Sequence, residues 1–441
     1  AASTIKFTLS ASALEMSGLE VLASRAGEKT AIAYTNVTKE DINLRLGSQD
    51  IPLALNTVPS VYATNQGGGA GDARINVRGF NQRNVAVMIN GIPVNDMENG
   101  WVFWSNWDGV ADATTSIQLQ KGLSAQNLAT PSIGGSMNII TDAAAQDRGG
   151  SFKQELGAWG FLKSTLSYQS GLMMDDKLAL SATVVKKSGD GYTFGTWTDA
   201  YAYYVGASYM LNDQHKFQFY ALGAPQRHGQ NLYKGNIAAY DRAYADGLED
   251  YTIDASEVAE SGRDFNGTAS SVSSEAAALL GDQQFQMYTE YTGERHEDGL
   301  LNERENFFHK PILGLNYYRE LNESMRLSTV LYHSPGEGGG TGTYGDVARL
   351  DANGVSDLSV GGHKFYYGPS PWTWDWNGMV AANSGSASDV VVFQTDTVSR
   401  GDGESIGVLR NSTNIQKVSG LVTKFDYDFS SELSFGAGLD Y

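Results

Sequence analysis

Arg74-Ile-Asn-Val-Arg-Gly-Phe80, followed by Val85-Ala-Val-Met-Ile-Asn-Gly91, is the stretch on which the reading of this chain turns. Ile117-Gln-Leu-Gln-Lys-Gly122 and Ile133-Gly-Gly-Ser-Met-Asn-Ile-Ile-Thr141 continue the same pattern. Each is a short apolar run closed by a turn residue, which reads as a strand. Asn90-Gly91 is a hairpin turn, because both residues accept the left-handed backbone that such a turn needs. Upstream, Thr38 followed by Asp41 is a helix-start signal. Ile51, Leu53 and Leu55 with Val58 suggest a second short helix, ended by Pro59. Gln66 to Asp72 is a glycine-rich tip and reads as a flexible loop. No Lys-Ser/Thr comes after it, so it is not a phosphate loop.

From Ser151 onward the period changes to two. Leu162, Leu166 and Tyr168 share a face with Ser164, while Lys163, Thr165, Ser167 and Gln169 point the other way. The alternation returns at Leu178–Val185, Tyr201–Tyr209, Lys216–Ala221, Leu313–Tyr317, Met325–Leu331, Leu421–Tyr427 and Leu433–Tyr441. With Ser151 as the start, about nine strands are present. Every second connection is tiny, around Met174-Asp-Asp176, Asn212-Asp213, Asn322-Glu-Ser324 and Ser430-Ser431. Two others are long, about Gly223 to Asn306 and about Ser334 to Ser412. Short turns at one end and long loops at the other are the pattern of an outer-membrane β-barrel. A soluble sandwich has no reason to sort its loops in this way.

Bulk composition agrees. The chain has 441 residues and no cysteine, so disulfides and thiolate metal sites are excluded. The net charge of −19 argues against nucleic acid, which needs a basic footprint. Mean hydropathy is −0.31 and no apolar run reaches the roughly 18 residues of a membrane helix. Barrel strands escape such statistics, because only alternate residues meet lipid.

Together, the strands and glycine turns from about Leu19 to Asp142 resemble the plug domain of TonB-dependent outer-membrane receptors. The alternating segments from Ser151 to Tyr441 resemble the barrel that such a plug fills. The resemblance implies an all-β membrane barrel of about 22 strands, of which about nine are present, around an α+β plug. An even strand count is the rule, so the sequence reads as part of a longer chain. The expected organisation is a linker over residues 1–25, a plug over 26–148 and an incomplete barrel over 149–441. Arg78 and Gly79 sit where the family has a buried Arg-Gly pair; Asn90, Gly91, Gly134 and Gly135 complete the plug motif. Leu19-Glu20-Val21-Leu22-Ala23 resembles the TonB box, which the TonB energy-coupling protein captures by strand addition. An ordinary strand or linker is the other reading. Ile5-Lys-Phe-Thr-Leu9 looks like the last strand of the small domain found upstream in Bacteroidetes-type receptors.

Two aromatic clusters are candidates for ligand contact. Glu98-Asn-Gly-Trp-Val-Phe-Trp-Ser-Asn-Trp107 offers Trp101, Phe103, Trp104 and Trp107, with Arg83, Asn95 and Asp96 as polar contacts. The alternative is that these rings pin the plug to the wall. Trp372, Trp374 and Trp376 would point one way if extended, a face on which sugars and aromatic chelators stack; internal loop packing is the alternative. The first long loop carries about 16 acids against six Lys or Arg. It is either a solvated acidic face or a calcium site, and it disfavours a strongly anionic iron chelate. The six histidines lack metal-ligand spacing. No catalytic constellation and no cofactor motif is found.

The expected function is TonB-dependent import of an extracellular nutrient into the periplasm of a Gram-negative bacterium. A neutral glycan or peptide is slightly favoured over a ferric siderophore. The alternative is a docking subunit of a larger outer-membrane assembly. Expected partners are TonB, outer-membrane lipid with lipopolysaccharide, and the ligand, with a surface lipoprotein as a further candidate.

Overall fold

The computed structural model describes residues 33–441 except 67–70, 72, 123–131, 234, 252–259, 282–283, 346, 348, 351–355, 358–371, 386–388, 394–395, 400–403 and 431. The candidate TonB box Leu19–Ala23, the strand Ile5–Leu9 and most of the glycine-rich tip lie outside the described residues.

The first unit begins with β1 (Tyr34–Thr38) and α1 (Lys39–Arg45). Thr38 caps α1, its side chain accepting from the Asp41 N–H at 3.2 Å, as the start signal predicts. The expected second helix is a five-residue 3-10 turn, Ile51–Leu55. It carries Pro52 in its first turn and stops before Pro59. The strands β2 (Val61–Thr64), β3 (Arg74–Val77), β4 (Phe80–Asn81), β5 (Val85–Ile89) and β6 (Ile92–Pro93) come next, then α2 (Val110–Ala113), β7 (Ser116–Lys121) and β8 (Gly135–Ile140). A mixed sheet runs β1-β7-β8-β5-β6, with β5 and β8 parallel at its centre. Both are buried throughout, which is why they read as continuous rather than alternating strands. Gly135 has φ +138°, and a Cβ there would lie 2.1 Å from the Gln120 carbonyl oxygen; no other residue fits between β7 and β8. Asn90 and Gly91, at φ 51° and 84°, form the hairpin turn read from sequence.

The second unit is one curved antiparallel sheet. It contains β9 (Gly149–Leu156), β10 (Leu162–Met173), β11 (Leu178–Asp190), β12 (Trp197–Asn212), β13 (His215–Gly223) and β14 (Gln226–Gly229). Loop strands β15 (Ala269–Ser271), β16 (Gln284–Tyr288), β17 (Tyr291–Glu294) and β18 (Leu300–Asn302) precede β19 (Glu305–His309), β20 (Ile312–Asn322) and β21 (Met325–Gly345). A second loop layer holds β22 (Arg349–Leu350), β23 (Ser356–Asp357), β24 (Thr373–Trp374), β25 (Asp389–Phe393) and β26 (Asp396–Ser399); β27 (Gly407–Asp428) and β28 (Ser434–Asp440) return to the sheet. β13 and β14 are one crossing interrupted at Pro225, and β19 and β20 one crossing interrupted at Pro311. Proline lacks the N–H that the ladder needs. The 11-stranded sheet therefore makes nine crossings among the described residues.

Its two faces keep the period of two. Leu166, Val184, Tyr201, Val205, Phe219, Leu313 and Leu331 stand outward and exposed, as lipid-facing residues must. Lys163, Thr165, Ser167, Thr183, Lys187, Lys216 and Gln218 stand inward and buried. One inward row alternates Gly206, Tyr220, Gly314, Tyr332 and Gly420 directly across five neighbouring strands. A Cβ on Gly314 would lie 2.2 Å from the Tyr220 ring, and one on Gly420 2.4 Å from the Tyr332 ring. Each glycine thus leaves the space its neighbour's ring occupies. Tyr204, Tyr220, Leu222, Ile312 and Val330 of this wall share one apolar cluster with Val87, Ile89, Ile92 and Trp107 of the first unit.

The second long loop is shorter than its composition suggests. β21 runs to Gly345 and β27 begins at Gly407, paired residue for residue. Glycines at 336, 338–340 and 342 read as loop, yet they are strand: a Cβ at Gly338 would lie 2.2 Å from the Phe308 ring, and one at Gly339 2.2 Å from the Ser412 carbonyl. At 21 and 22 residues these strands are about twice the length a bilayer requires, so they continue into the outer space.

Gly314→Val should force the Tyr220 ring from its seat. We expect a loss of about 1–3 kcal/mol in stability, read as a lower urea midpoint of the detergent-folded protein. Adding Tyr220→Ala should restore part of it. An unchanged midpoint for Gly314→Val would show that the row is not close-packed.

Candidate functional site at the plug and its wall

Three lysines from separate wall strands reach inward to three aspartates of the enclosed unit. Lys163 of β10 meets Asp112 of α2 at 2.8 Å, Lys187 of β11 meets Asp108 at 2.9 Å, and Lys216 of β13 meets Asp142 at 3.1 Å. The three lysine side chains are only 3–4% exposed. Lys163 and Lys187 stand directly opposite each other across the β10–β11 ladder. Two like charges in that position repel, and burial strips both of water. Asp112 and Asp108 neutralise them. Ser208 donates to Asp142 at 2.8 Å, and Thr165 donates to Asp112 at 3.4 Å. Burial alone would push the Asp142 carboxyl up; the Lys216 ammonium, the Ala144 N–H and Ser208 outweigh it and hold it below the usual range.

Two further groups extend this network inside the plug unit. The Lys39 ammonium caps α2 by donating to the Asp112 carbonyl, and burial lowers it to about 8 although Asp112 opposes the shift. Asp50 accepts the N–H groups of Gly71 at 3.0 Å and Ala73 at 3.1 Å. Burial pushes its carboxyl up to about 6, against the pull of nearby Lys187.

At the apex, Trp101 is held between two guanidinium groups, Arg83 at 4.4 Å and Arg74 at 4.9 Å from its ring. Asp96 accepts from the Glu98 and Asn99 N–H groups at 3.1 Å and fixes the turn between them. Its other oxygen accepts from Gln416 of β27 at 3.3 Å, and Lys310 donates to the Gln416 amide oxygen at 3.1 Å. The apex is thereby tied to the wall. Beside this link lies a crevice of about 640 Å³ lined by Arg83, Asp96, Met97, Lys310, Tyr332 and Ser419. It is of the size that takes a small-molecule ligand.

The structure sorts the residues expected at a ligand site. Arg83 and Asp96 line the crevice, and Trp101 is cradled above Arg83. Phe103 remains exposed at 45%. Asn95 lies at the crevice edge, but its side chain is spent internally: it accepts from Val87 N–H at 2.7 Å and donates to the Val85 and Gly100 carbonyls at 3.1 Å. Trp104 and Trp107, expected as stacking faces, pack in the core at 2% exposure; Trp104 donates to Gln82 at 3.1 Å, and Trp107 borders the crevice. Trp374 and Trp376, expected on one open face, are buried in the loop layer because Trp376 starts the helix Trp376–Ser384. Trp374 donates to Glu303 at 2.9 Å and Trp376 to the Leu301 carbonyl at 3.1 Å. Trp372 is half-buried beside them. Arg78 and Gly79 are not a buried pair. They form an exposed left-handed turn between β3 and β4, at φ 51° and 82°. Lys310, Gln416, Tyr332 and the three docking lysines were not singled out from sequence. Their signal is the inward phase of each strand, which the alternation already places for Lys163 and Lys216. Among the described residues no group of His, Asp and Glu is arranged to hold a metal ion.

Comparison with known proteins identifies the first unit. Residues 26–136 match the model of the TonB-dependent receptor plug domain. Over these residues the chain carries a TonB-dependent receptor plug domain. It is 26% identical over 239 residues to the vitamin B12 transporter BtuB of Vibrio cholerae, covering 52% of this chain and 37% of that one. It is 29% identical over 152 residues to the ferric enterobactin receptor of Pseudomonas aeruginosa, covering 32% of this chain and 20% of that one. Among solved structures, the unliganded ferric citrate transporter FecA superposes with a TM-score of 0.54 at 15% identity, over 91% of this chain and 45% of FecA. The pyoverdine receptor FpvA of Pseudomonas aeruginosa gives 0.55 at 12% identity, over 93% and 46%. These superpositions show the shared plug-and-barrel fold. The chain spans about a third of the length of the B12 transporters it matches.

Replacing Lys187 by Met would leave Asp108 buried and unpaired, at a cost of about 3–5 kcal/mol. The double replacement Lys187→Met, Asp108→Leu should recover most of it; equal losses in both would show that the pair is not coupled. The Asp50 carboxyl adds a pH dependence. Its folded value, about 6, exceeds the ordinary 3.8, so the folded state binds the extra proton and stability falls as pH rises through that window. Asp50→Asn should flatten the unfolding midpoint against pH between these limits.

Proposed function

We propose that this receptor imports an extracellular nutrient into the periplasm, with the crevice between the plug apex and the wall as its entry site. The observation that carries this reading is the chain Asp96–Gln416–Lys310, which joins apex to wall at the crevice. A ligand seated there touches both units at once, so its arrival bears directly on how the plug is held. The segment Leu19–Ala23 would then be captured by TonB, and tension on it would remodel the plug.

The chemistry of the site favours a neutral glycan or peptide. Arg83 and Lys310 are offset by Asp96 and Asp440 in the crevice, and the outer loop from Gly223 to Asn306 is strongly acidic. A ferric chelate of high negative charge meets an unfavourable field at such a mouth. Corrinoids and ferric siderophores, named for the relatives above, are the competing substrates. A second reading, a docking subunit for a surface lipoprotein, draws on Leu279 and Leu280, which stand exposed on the loop helix Ser274–Leu280; co-purification from native membranes separates it from import.

Uptake of radiolabelled neutral oligosaccharide, cobalamin and ferric enterobactin, each tested in cells carrying the full receptor, decides the substrate. Val21→Pro should abolish uptake of the imported compound while leaving its binding to cells intact, because proline removes a strand N–H. Lys310→Ala should weaken binding itself. Undiminished uptake in Val21→Pro would contradict the energy-coupling role of this segment.

A further inference from the structure

A second crevice lies away from the apex, where the plug meets the first two outer hairpins. It encloses about 260 Å³ between Gln49 and Asn65 on the plug side and Trp159 and Tyr192 on the wall side, over a floor of Asp50 and Lys187. That is smaller than a typical ligand pocket, so it suits one ring-sized group.

The crevice is built rather than incidental. Gly189, at φ +153°, brings the β11 end so close to the neighbouring hairpin that a Cβ would lie 2.7 Å from the Phe161 Cα. The Asp190 N–H donates to the Trp159 carbonyl at 2.9 Å and locks the two turns together. Trp159 and Tyr192 meet edge to face at 5.4 Å, yet remain 54% and 47% exposed. Both rings line the crevice. The outer loop reaches the same rim. His296 stacks on Trp197 at 4.4 Å and contacts Asp190 at 2.9 Å.

The polar complement is specific. Asp50 and Lys187 lie in the floor, Lys187 is also paired with Asp108, and Asp190 stands at the rim, so the crevice offers carboxylate acceptors and no unpaired cation. It offers hydrogen-bond acceptors and donors beneath aromatic rings, with two amide side chains, Gln49 and Asn65, at the edge. An anionic ligand would find no unpaired cation there. A ring with an apolar face and a rim of hydroxyl groups meets every one of these features.

We infer that this crevice binds a single neutral sugar ring, as a subsite for one residue of a glycan at the plug–wall junction. The inference deepens the glycan side of the import reading and rests on that reading for its biological setting.

The test is binding of the detergent-folded full receptor to an array of neutral, acidic and amino glycans and of short peptides. Neutral glycans should be retained, and Trp159→Ala and Gln49→Ala should each weaken retention roughly tenfold, the scale of a lost stacking contact. Trp159→Phe should keep part of it, and both alanine variants should show the wild-type heat-modifiable mobility, which controls for folding. Retention of peptides or charged glycans only, retention of nothing, or neutral-glycan binding indifferent to both alanine variants would overturn the assignment. The array reads binding without transport. Failure here with uptake intact sinks the subsite alone, and binding here without uptake sinks the import reading alone.

Discussion

Two ammonium groups facing each other in a dry wall set the terms for this molecule. Lys163 and Lys187 are opposed across neighbouring strands and turned inward. A barrel interior filled with water would solvate them; one filled with apolar core would expel them. The plug answers with aspartates at both positions and a third opposite Lys216. The plug is accordingly more polar than an ordinary core of its size, with Gln118, Gln120 and Asn138 buried beside its apolar sheet. Its apolar side is continuous with the wall's tyrosine row, so burial supplies attraction and the charges supply registration. Loss of one charge leaves its partner stranded, whereas loss of both is far less damaging.

The aromatic residues divide into populations with different work. Trp104 and Trp107 fill the plug core, and Trp374 and Trp376 anchor the loop layer around the buried Glu303 carboxylate. Glu303 also accepts from Tyr233 at 2.6 Å and from the Thr343 N–H at 3.0 Å, so the two long loops are bound into one layer. Phe103, Trp159 and Tyr192 stay exposed and Trp101 half-buried, beside the two proposed crevices. Their surroundings, guanidinium at the apex and paired charge with amides at the side crevice, give the two sites different chemical tastes.

Much of this was legible in the sequence, and for a physical reason. Strand alternation is enforced by a wall with lipid on one side and a polar filling on the other, so Leu166 and Lys163 declare their faces. The Asn90-Gly91 turn and the Thr38 cap are local, and they form as read. What failed depended on distant partners. Nothing near Trp104 in sequence announces Gln82 as its acceptor, and nothing near Trp374 announces Glu303. The glycines from 336 to 342 look like loop because their reason for being glycine is Phe307, Phe308 and the β27 backbone. Arg78 was expected inside on family resemblance, whereas the short β3–β4 hairpin turns it outward. The Lys–Asp pairs span some 50 to 80 residues, and their inward phase was visible while their partners were not.

The chain has no cysteine, which makes one measurement unusually clean. Replacing Asp108 and Lys187 together by cysteine removes both members of a buried pair and places the only two thiols of these 441 residues across the plug–wall junction. Treatment of intact cells or outer membranes with a short bifunctional thiol reagent, then peptide mapping, asks directly whether these positions adjoin in the native receptor. A plug docked by its aspartates onto the lysines of β10, β11 and β13 predicts a single cross-linked peptide joining residues 108 and 187. Two separately capped thiols with no linked peptide would contradict that arrangement.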